Sequence, residues 1–285
     1  MNIAIAGATG NLGRLVIRKL KTRVPASNIF ALARTPGKAA ELGTQVSEAD
    51  YNKPDTLERA LSGVQTLVLI SSNEVGQRIV QHRNVIEAAK KAGVEWIVYT
   101  SLLHADISAI KMLADEHLAT EANLKASGVA FTILRNGWYT ENYTASVPRA
   151  VAGGAFLGCA GDGRIASAPR ADYAEAIVAV LTTEGHQRKT YELAGDQPYT
   201  LSDLAAEISR QTGKTIPYKN LSEAGYAAAL SGIGLPESAA QAYANFDTGA
   251  AQGALFDDGH QLSKLLGHST TPLAVSIADA LKASK

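Results

Sequence analysis

The amino-acid sequence predicts an α/β protein: a doubly wound parallel sheet followed by a smaller, mainly helical C-terminal domain. Two observations carry this. Through the first half, short apolar runs alternate with amphipathic helical stretches, the pattern of strands buried on both faces and joined by helical crossovers. Beyond Asp196 the strand-like runs give way to helix start and stop signals. Right-handed crossovers leave the doubly wound topology as the simplest arrangement of the first half.

In chain order, residues 3–6 form a short apolar strand, followed by glycines and a helix over 12–20. Residues 29–33 are the next strand and 35–42 are helical. A strand over 45–49 precedes a helix over 54–61. Residues 67–70 are a buried strand, and 77–92 a helix stopped by Gly93. Strands over 96–100 and 131–134 flank a helix from 113 to 127. Glycine becomes frequent from 153 to 163, a stretch expected to be loop or irregular strand. Residues 172–183 form an Ala-rich helix and 190–194 a strand. Thr200 caps a helix over 201–211, with Asp203 at the third helical position and Gly213 beyond its end. Ser222 opens another helix, and Thr271-Pro272 reads as a cap followed by proline at the first helical position. Residues 1–150 are therefore expected to form the nucleotide-binding domain, with 165–195 returning to it. Residues 196–285 form the mainly helical, substrate-side domain.

Composition excludes several classes. The 285 residues carry 27 Lys+Arg and 27 Asp+Glu, so nothing in the net charge suits general binding to nucleic acid or an anionic membrane. One cysteine, Cys159, excludes an intrachain disulfide framework and a Cys-cluster metal site. The six histidines show neither a His-Glu-x-x-His pattern nor clustered ligand spacing, so no metal is expected. No apolar run approaches membrane-spanning length, and Met1 to Ala6 lacks the basic lead of a signal peptide. A cytoplasmic protein is expected, and a homo-oligomer is compatible with the sequence.

The most informative segment is Gly7-Ala8-Thr9-Gly10-Asn11-Leu12-Gly13, between the first strand and the first helix. Gly7 permits a tight turn, Gly10 lets the backbone approach a pyrophosphate, and Gly13 lets the helix pack closely on the sheet. The helix N-terminus offers N–H groups and partial positive charge to the phosphates. This predicts a Rossmann-type dinucleotide site including Thr9, Asn11 and Leu12. The second strand ends in Arg34, where an NAD site would carry an acid for the ribose 2′-hydroxyl, and no acid follows before Glu41. Arg34 suits a 2′-phosphate and Lys38 adds charge one turn on, so the cofactor is expected to be NADPH. Asp50 is either an acceptor for the adenine amino group or a plain loop aspartate. Strand ends at the sheet's carboxyl edge line the ligand crevice. They nominate Ser71, Ser72 and Asn73, then Thr100, Ser101 and Leu102, then Asn136 and Gly137 with Trp138 and Tyr139. Arg170 begins a helix and is a further cofactor candidate. Residues 77–91 read as an ordinary helix with a solvated charged face.

Many dehydrogenases with such a glycine loop use a Tyr-x-x-x-Lys pair to move a proton to or from an alcohol oxygen. None of the ten tyrosines here has lysine four residues later. In the helix where the pair would sit, Leu113 takes the Tyr position and His117 the Lys position. Alkoxide-forming ketone reduction is thereby disfavoured. A flat, electron-poor acceptor such as a quinone spreads charge into its ring and can be reduced by alignment alone. Trp138, Tyr139, Asn142 and Tyr143 can contact such a ring. His117 orients the ribose, donates a proton, or is structural.

The chain resembles the NmrA-like atypical short-chain dehydrogenase/reductases, and within them the bacterial NAD(P)H:quinone oxidoreductases of type 2; triphenylmethane reductases are a more distant likeness. Besides the glycine loop, the resemblance rests on Ile70-Ser71-Ser72-Asn73-Glu74-Val75-Gly76-Gln77-Arg78 and Tyr99-Thr100-Ser101-Leu102-Leu103-His104-Ala105-Asp106. It also rests on Leu134-Arg135-Asn136-Gly137-Trp138-Tyr139, Ala160-Gly161-Asp162-Gly163 and Leu255-Phe256-Asp257-Asp258. It implies NADPH binding and quinone reduction by direct hydride transfer, without flavin or metal. It further implies that Asn136, Gly137, Trp138, Tyr139, Asn142 and Tyr143 lie near nicotinamide and acceptor. Some relatives act instead as NADP sensors on a protein partner, and others reduce triarylmethane dyes.

Overall fold

The computed structural model describes residues 1–283. Its elements are β1 (Ile3–Ala6), α1 (Asn11–Leu20), β2 (Ile29–Ala33), β3 (Gln45–Glu48), α2 (Pro54–Ala60), β4 (Thr66–Leu69), α3 (Arg78–Lys91), β5 (Trp96–Leu102), α4 (Lys111–Ala126) and β6 (Ala130–Asn136). There follow α5 (Glu141–Thr144), α6 (Val147–Gly153), β7 (Phe156–Gly158), α7 (Arg170–Thr182), β8 (Lys189–Leu193), α8 (Leu201–Thr212), β9 (Tyr218–Asn220), α9 (Glu223–Gly232), α10 (Glu237–Ala251), α11 (Gln261–Leu266) and α12 (Leu273–Ala283).

Seven strands form one sheet in the order β3-β2-β1-β4-β5-β6-β8, and every pairing is parallel. The chain winds outward from β1 to β3, then returns beside β1 with β4 and winds the other way. The reversal lies between β1 and β4, where an open α/β sheet leaves its crevice. All residues of β1, β4 and β5 are buried, which explains their continuous apolar runs. Leu57, Leu61, Leu67, Leu69, Val85 and Ile97 belong to one core cluster packed on this sheet.

The chain divides into two compact units. The first holds Met1–Asp106, Met112–Asn136 and Arg170–Leu193, with the whole seven-stranded sheet. The second holds Ile107–Lys111, Gly137–Pro169 and Ala194–Lys285. Residues 107–111, 137–150, 165–169 and 194–195 were expected with the sheet but cluster in the second unit; the chain leaves the sheet at the end of β6, returns only with α7 at Arg170 and leaves it again at the end of β8.

Several local expectations change. The segment expected to be helical over 35–42 is a run of 3-10 turns, Pro36–Leu42, opened by Pro36-Gly37. The glycine-rich stretch contains β7, which pairs in parallel with β9 in a separate two-stranded sheet. α12 begins at Leu273, so Pro272 lies just before its first helical residue. Two caps stand as read: Thr200 and Asp203 form a reciprocal capping box on α8, and the Ser222 side chain accepts from the Gly225 N–H. Among the described residues no helix is long and apolar enough to cross a membrane.

Candidate functional site

The glycine loop turns out of β1 through Gly7, whose φ of +74° lies in the left-handed region. The Gly10 N–H closes the turn onto the Gly7 carbonyl at 3.0 Å. A Cβ on Gly13 would lie 2.3 Å from the Gly7 carbonyl oxygen, so only glycine lets α1 start there. A Cβ on Gly10 would meet only that same oxygen, at 3.3 Å; its outer side is open to a ligand. Among the described residues no side chain caps α1, and its first turn holds no acid. The positive end of the helix is thus left for an external anion, and the cradle suits a pyrophosphate. Thr9 contributes its carbonyl to the Arg14 Nε–H at 3.0 Å, while Leu12 is buried and Asn11 is exposed.

Arg34 and Lys38 are both exposed beyond β2. The Arg34 guanidinium pairs with Glu74 at 2.5 Å. Arg14 fixes the 3-10 segment by donating to the Lys38 carbonyl and pairing with Glu41. Asp50 is engaged locally: its carboxylate accepts from the Asn52 N–H at 3.0 Å, and its own N–H donates to Thr56. Its neighbour Tyr51 donates to the Ile70 carbonyl at 3.2 Å, under the glycine loop.

The loop after β4 rests on a polar floor. The Ser71 N–H donates to Thr100 Oγ1 at 2.9 Å, joining two expected cofactor segments. The Ser72 N–H donates to His82 Nε2 at 3.0 Å, and its carbonyl accepts from Arg78 Nε at 2.6 Å. The N–H groups of Gly76 and Arg78 both donate to Glu116. Asn73 follows Ser72 in this loop. Arg78 is nearly enclosed, and Gln81 and His82 are buried. Arg78, Gln81 and His82 thus form an internal polar surface at the start of α3, while Arg83, Glu87, Lys90 and Lys91 are exposed and supply the solvated charged face expected of this helix. Because Nε2 of His82 accepts, Nδ1 carries the proton and donates to Thr120 Oγ1, which donates to the Glu116 carbonyl. Burial, then the Arg78 charge, push the His82 imidazole down to about 3, so it stays neutral.

His117 joins this floor, with Nδ1 2.7 Å from the Tyr99 hydroxyl. Burial first, and then Arg78 and His82, hold its pKa well below the ordinary value. Burial raises that of Tyr99. Both partners are neutral near pH 7, so His117 lacks the positive charge that makes a lysine useful to a catalytic tyrosine. Thr100, Ser101 and Leu102 are the last residues of β5, and Asn136 the last of β6; all are buried. Ser101 donates to Glu121 at 2.7 Å, which directs its hydroxyl into the protein. Arg135 makes a two-pronged contact with Glu121, both bonds at 2.9 Å, and reaches Glu192 and Asp106. Arg170 is the first residue of α7 and is half-buried.

In the second unit, Gly137 is buried. Trp138 and Tyr139 lie on a short parallel bridge to Ala168. Trp138 packs edge-on against Phe246 of α10 (5.2 Å between centroids), and Phe246 against Tyr243 at 6.0 Å. This aromatic row was missed in the sequence because Trp138 lies more than a hundred residues from the other two; helical spacing pairs Tyr243 with Phe246 but does not indicate Trp138. Tyr139 and Asn142 are half-buried. Tyr143 is buried and its hydroxyl donates to Asp247 at 3.2 Å, so that group is turned inward. Among the described residues, no group of three or more His, Cys, Asp or Glu could hold a metal ion.

A family model described as NAD(P)H-binding matches residues 7–184. Quinone oxidoreductase 2 of Escherichia coli (strain K12) is 57% identical over 279 residues, covering 97% of each chain. A crystal structure of the NADPH-dependent quinone oxidoreductase QOR2 from Escherichia coli, complexed with NADPH, superposes with a TM-score of 0.95 at 56% identity, covering 98% of this chain and 99% of that one. Triphenylmethane reductase of Citrobacter sp. has the same TM-score at 38% identity, covering 99% of this chain and 100% of that one.

Proposed function

This chain belongs to the NAD(P)H-binding family, and from that premise we propose that it is an NADPH-dependent quinone reductase working by direct hydride transfer, without flavin or metal. The observation that supports this most is the near full-length likeness, at 57% identity, to a quinone oxidoreductase. NADPH, when bound, supplies the hydride that, with one proton, converts a quinone into a hydroquinone.

The remaining work falls to the chain's own residues. The glycine loop and the uncapped start of α1 hold the pyrophosphate. Arg34, with Lys38, takes the 2′-phosphate. Ser71, Ser72, Asn73, Thr100, Asn136, Gly137 and Arg170 are the proposed contacts of the ribose and nicotinamide half, with Asp50 beside the adenine. Trp138, Tyr139 and Asn142 offer ring faces and an amide to a flat acceptor, and Phe246 backs Trp138. Tyr143 keeps that wall in place through Asp247. The neutral Tyr99–His117 pair holds the floor, and water supplies the proton. The unpaired Cys159 thiol suits a reducing compartment, which supports a cytoplasmic location.

The test is NADPH oxidation by the purified protein with a simple benzoquinone and, in parallel, a triarylmethane dye. The 38% identity to a dye reductase makes dye reduction the second reading. Faster turnover of the quinone is expected. Faster decolourisation of the dye overturns that order, and tight NADPH binding with no turnover of either assigns the chain a sensor role.

A further inference from the structure

We propose that Glu74 is a built-in counter-ion for Arg34 that limits how strongly this chain prefers NADPH over NADH. The inference rests on Arg34 being the residue that reads the 2′-phosphate. Arg34 follows β2 and Glu74 lies in the loop after β4, on opposite sides of β1 in the sheet order. Their side chains meet at 2.5 Å.

Glu74 is not a loose surface acid. Its second carboxylate oxygen accepts from Gln81 Nε2 at 2.7 Å, and Gln81 is 2% exposed. Its N–H donates to Ser72 Oγ at 3.1 Å, and Ser72 is held by His82 and Arg78. The acid is thus presented to Arg34 by the same floor that carries the cofactor loop. Arg34 itself is 61% exposed, so its planar fork is the mobile partner.

A phosphate monoester carries close to two negative charges near neutral pH and draws the guanidinium away from a single carboxylate. Glu74 then remains near a like-charged group, and the ion pair has been lost. NADH has a hydroxyl at that position and meets neither penalty. An exposed pair contributes little on its own, and the repulsion left on the phosphate adds to its loss, so the effect is a modest adjustment of preference and not a switch.

The experiment measures dissociation constants of NADPH and NADH, and of 2′,5′-ADP and 5′-AMP as adenosine-end probes, for wild type, Glu74→Gln and Arg34→Gln. Glu74→Gln is expected to tighten NADPH and 2′,5′-ADP by about three- to tenfold and to move NADH and 5′-AMP by less than about twofold. The gain shrinks at high salt, as a charge effect must. Glu74→Ser, which also drops the reach to Gln81, must move in the same direction. Retained NADH binding reports that each variant is folded. If both Glu74 variants leave the NADPH to NADH ratio unchanged, or weaken NADPH, the proposal is overturned while Arg34 keeps its role. If Arg34→Gln leaves the ratio unchanged, the underlying assignment fails, and the proposal with it.

Discussion

His117 shows how burial decides a residue's role. At its place in α4 a lysine would be cationic and could stabilise a tyrosinate. Here burial keeps the imidazole neutral, and the nearby Arg78 charge adds to the effect. General acid–base assistance contributes roughly 10²- to 10⁴-fold where it operates. His117→Ala is therefore expected to retain benzoquinone turnover within about tenfold of wild type. Steady-state kcat at saturating NADPH measures it, and a larger loss with intact NADPH binding would give His117 a proton-transfer role. The glycine loop was legible because each glycine answers a local need of the strand–turn–helix, visible at Gly7 and Gly13. Glu74 was not: nothing in its neighbours shows that the loop after β4 lies against the end of β2.

At the scale of elements, α4 is tied to β5 and β6 by polar and charged contacts, and one arginine carries the network on to β8. Glu121 on α4 accepts from Ser101 on β5 and from Arg135 on β6, and Arg135 reaches Glu192 on β8. Removing one member strands its partner in a poorly solvated site. Arg135→Met is expected to destabilise the protein by about 3–5 kcal/mol, and adding Glu121→Leu to recover a large part of that. Denaturant midpoints of the two variants check both statements. The strand order could be anticipated because fully buried strands are written as apolar runs. These polar contacts could not, since Glu116, His117, Thr120 and Glu121 look like a solvated helix face until the sheet beneath them is known. The pairing of β7 with β9 escaped for another reason: each strand has three residues, and the partner lies about sixty residues away.

For the molecule as a whole, stability should depend on pH through Asp247. Burial raises its carboxyl to about 6, although the Cys159 N–H and the Tyr143 hydroxyl pull it down. Between the ordinary carboxyl value near 4 and about 6, the folded chain holds a proton that the unfolded chain has released. Stability therefore falls as pH rises through this window, and the full penalty remains above it. Asp247→Asn abolishes the dependence at this site. Relative to wild type, the variant should gain roughly 1–3 kcal/mol on going from about pH 4.5 to about pH 7.5, read from paired denaturation curves; an unchanged difference would refute it. The same carboxylate has a chemical consequence for Cys159. Quinones are electrophiles that arylate thiolates by conjugate addition. The chain's one cysteine is buried, its thiol donates to the Ala244 carbonyl, and burial with Asp247 pushes it up to about 12. On the proposed quinone reduction, the lone thiol is thereby kept protonated and shielded from arylation by the acceptor itself.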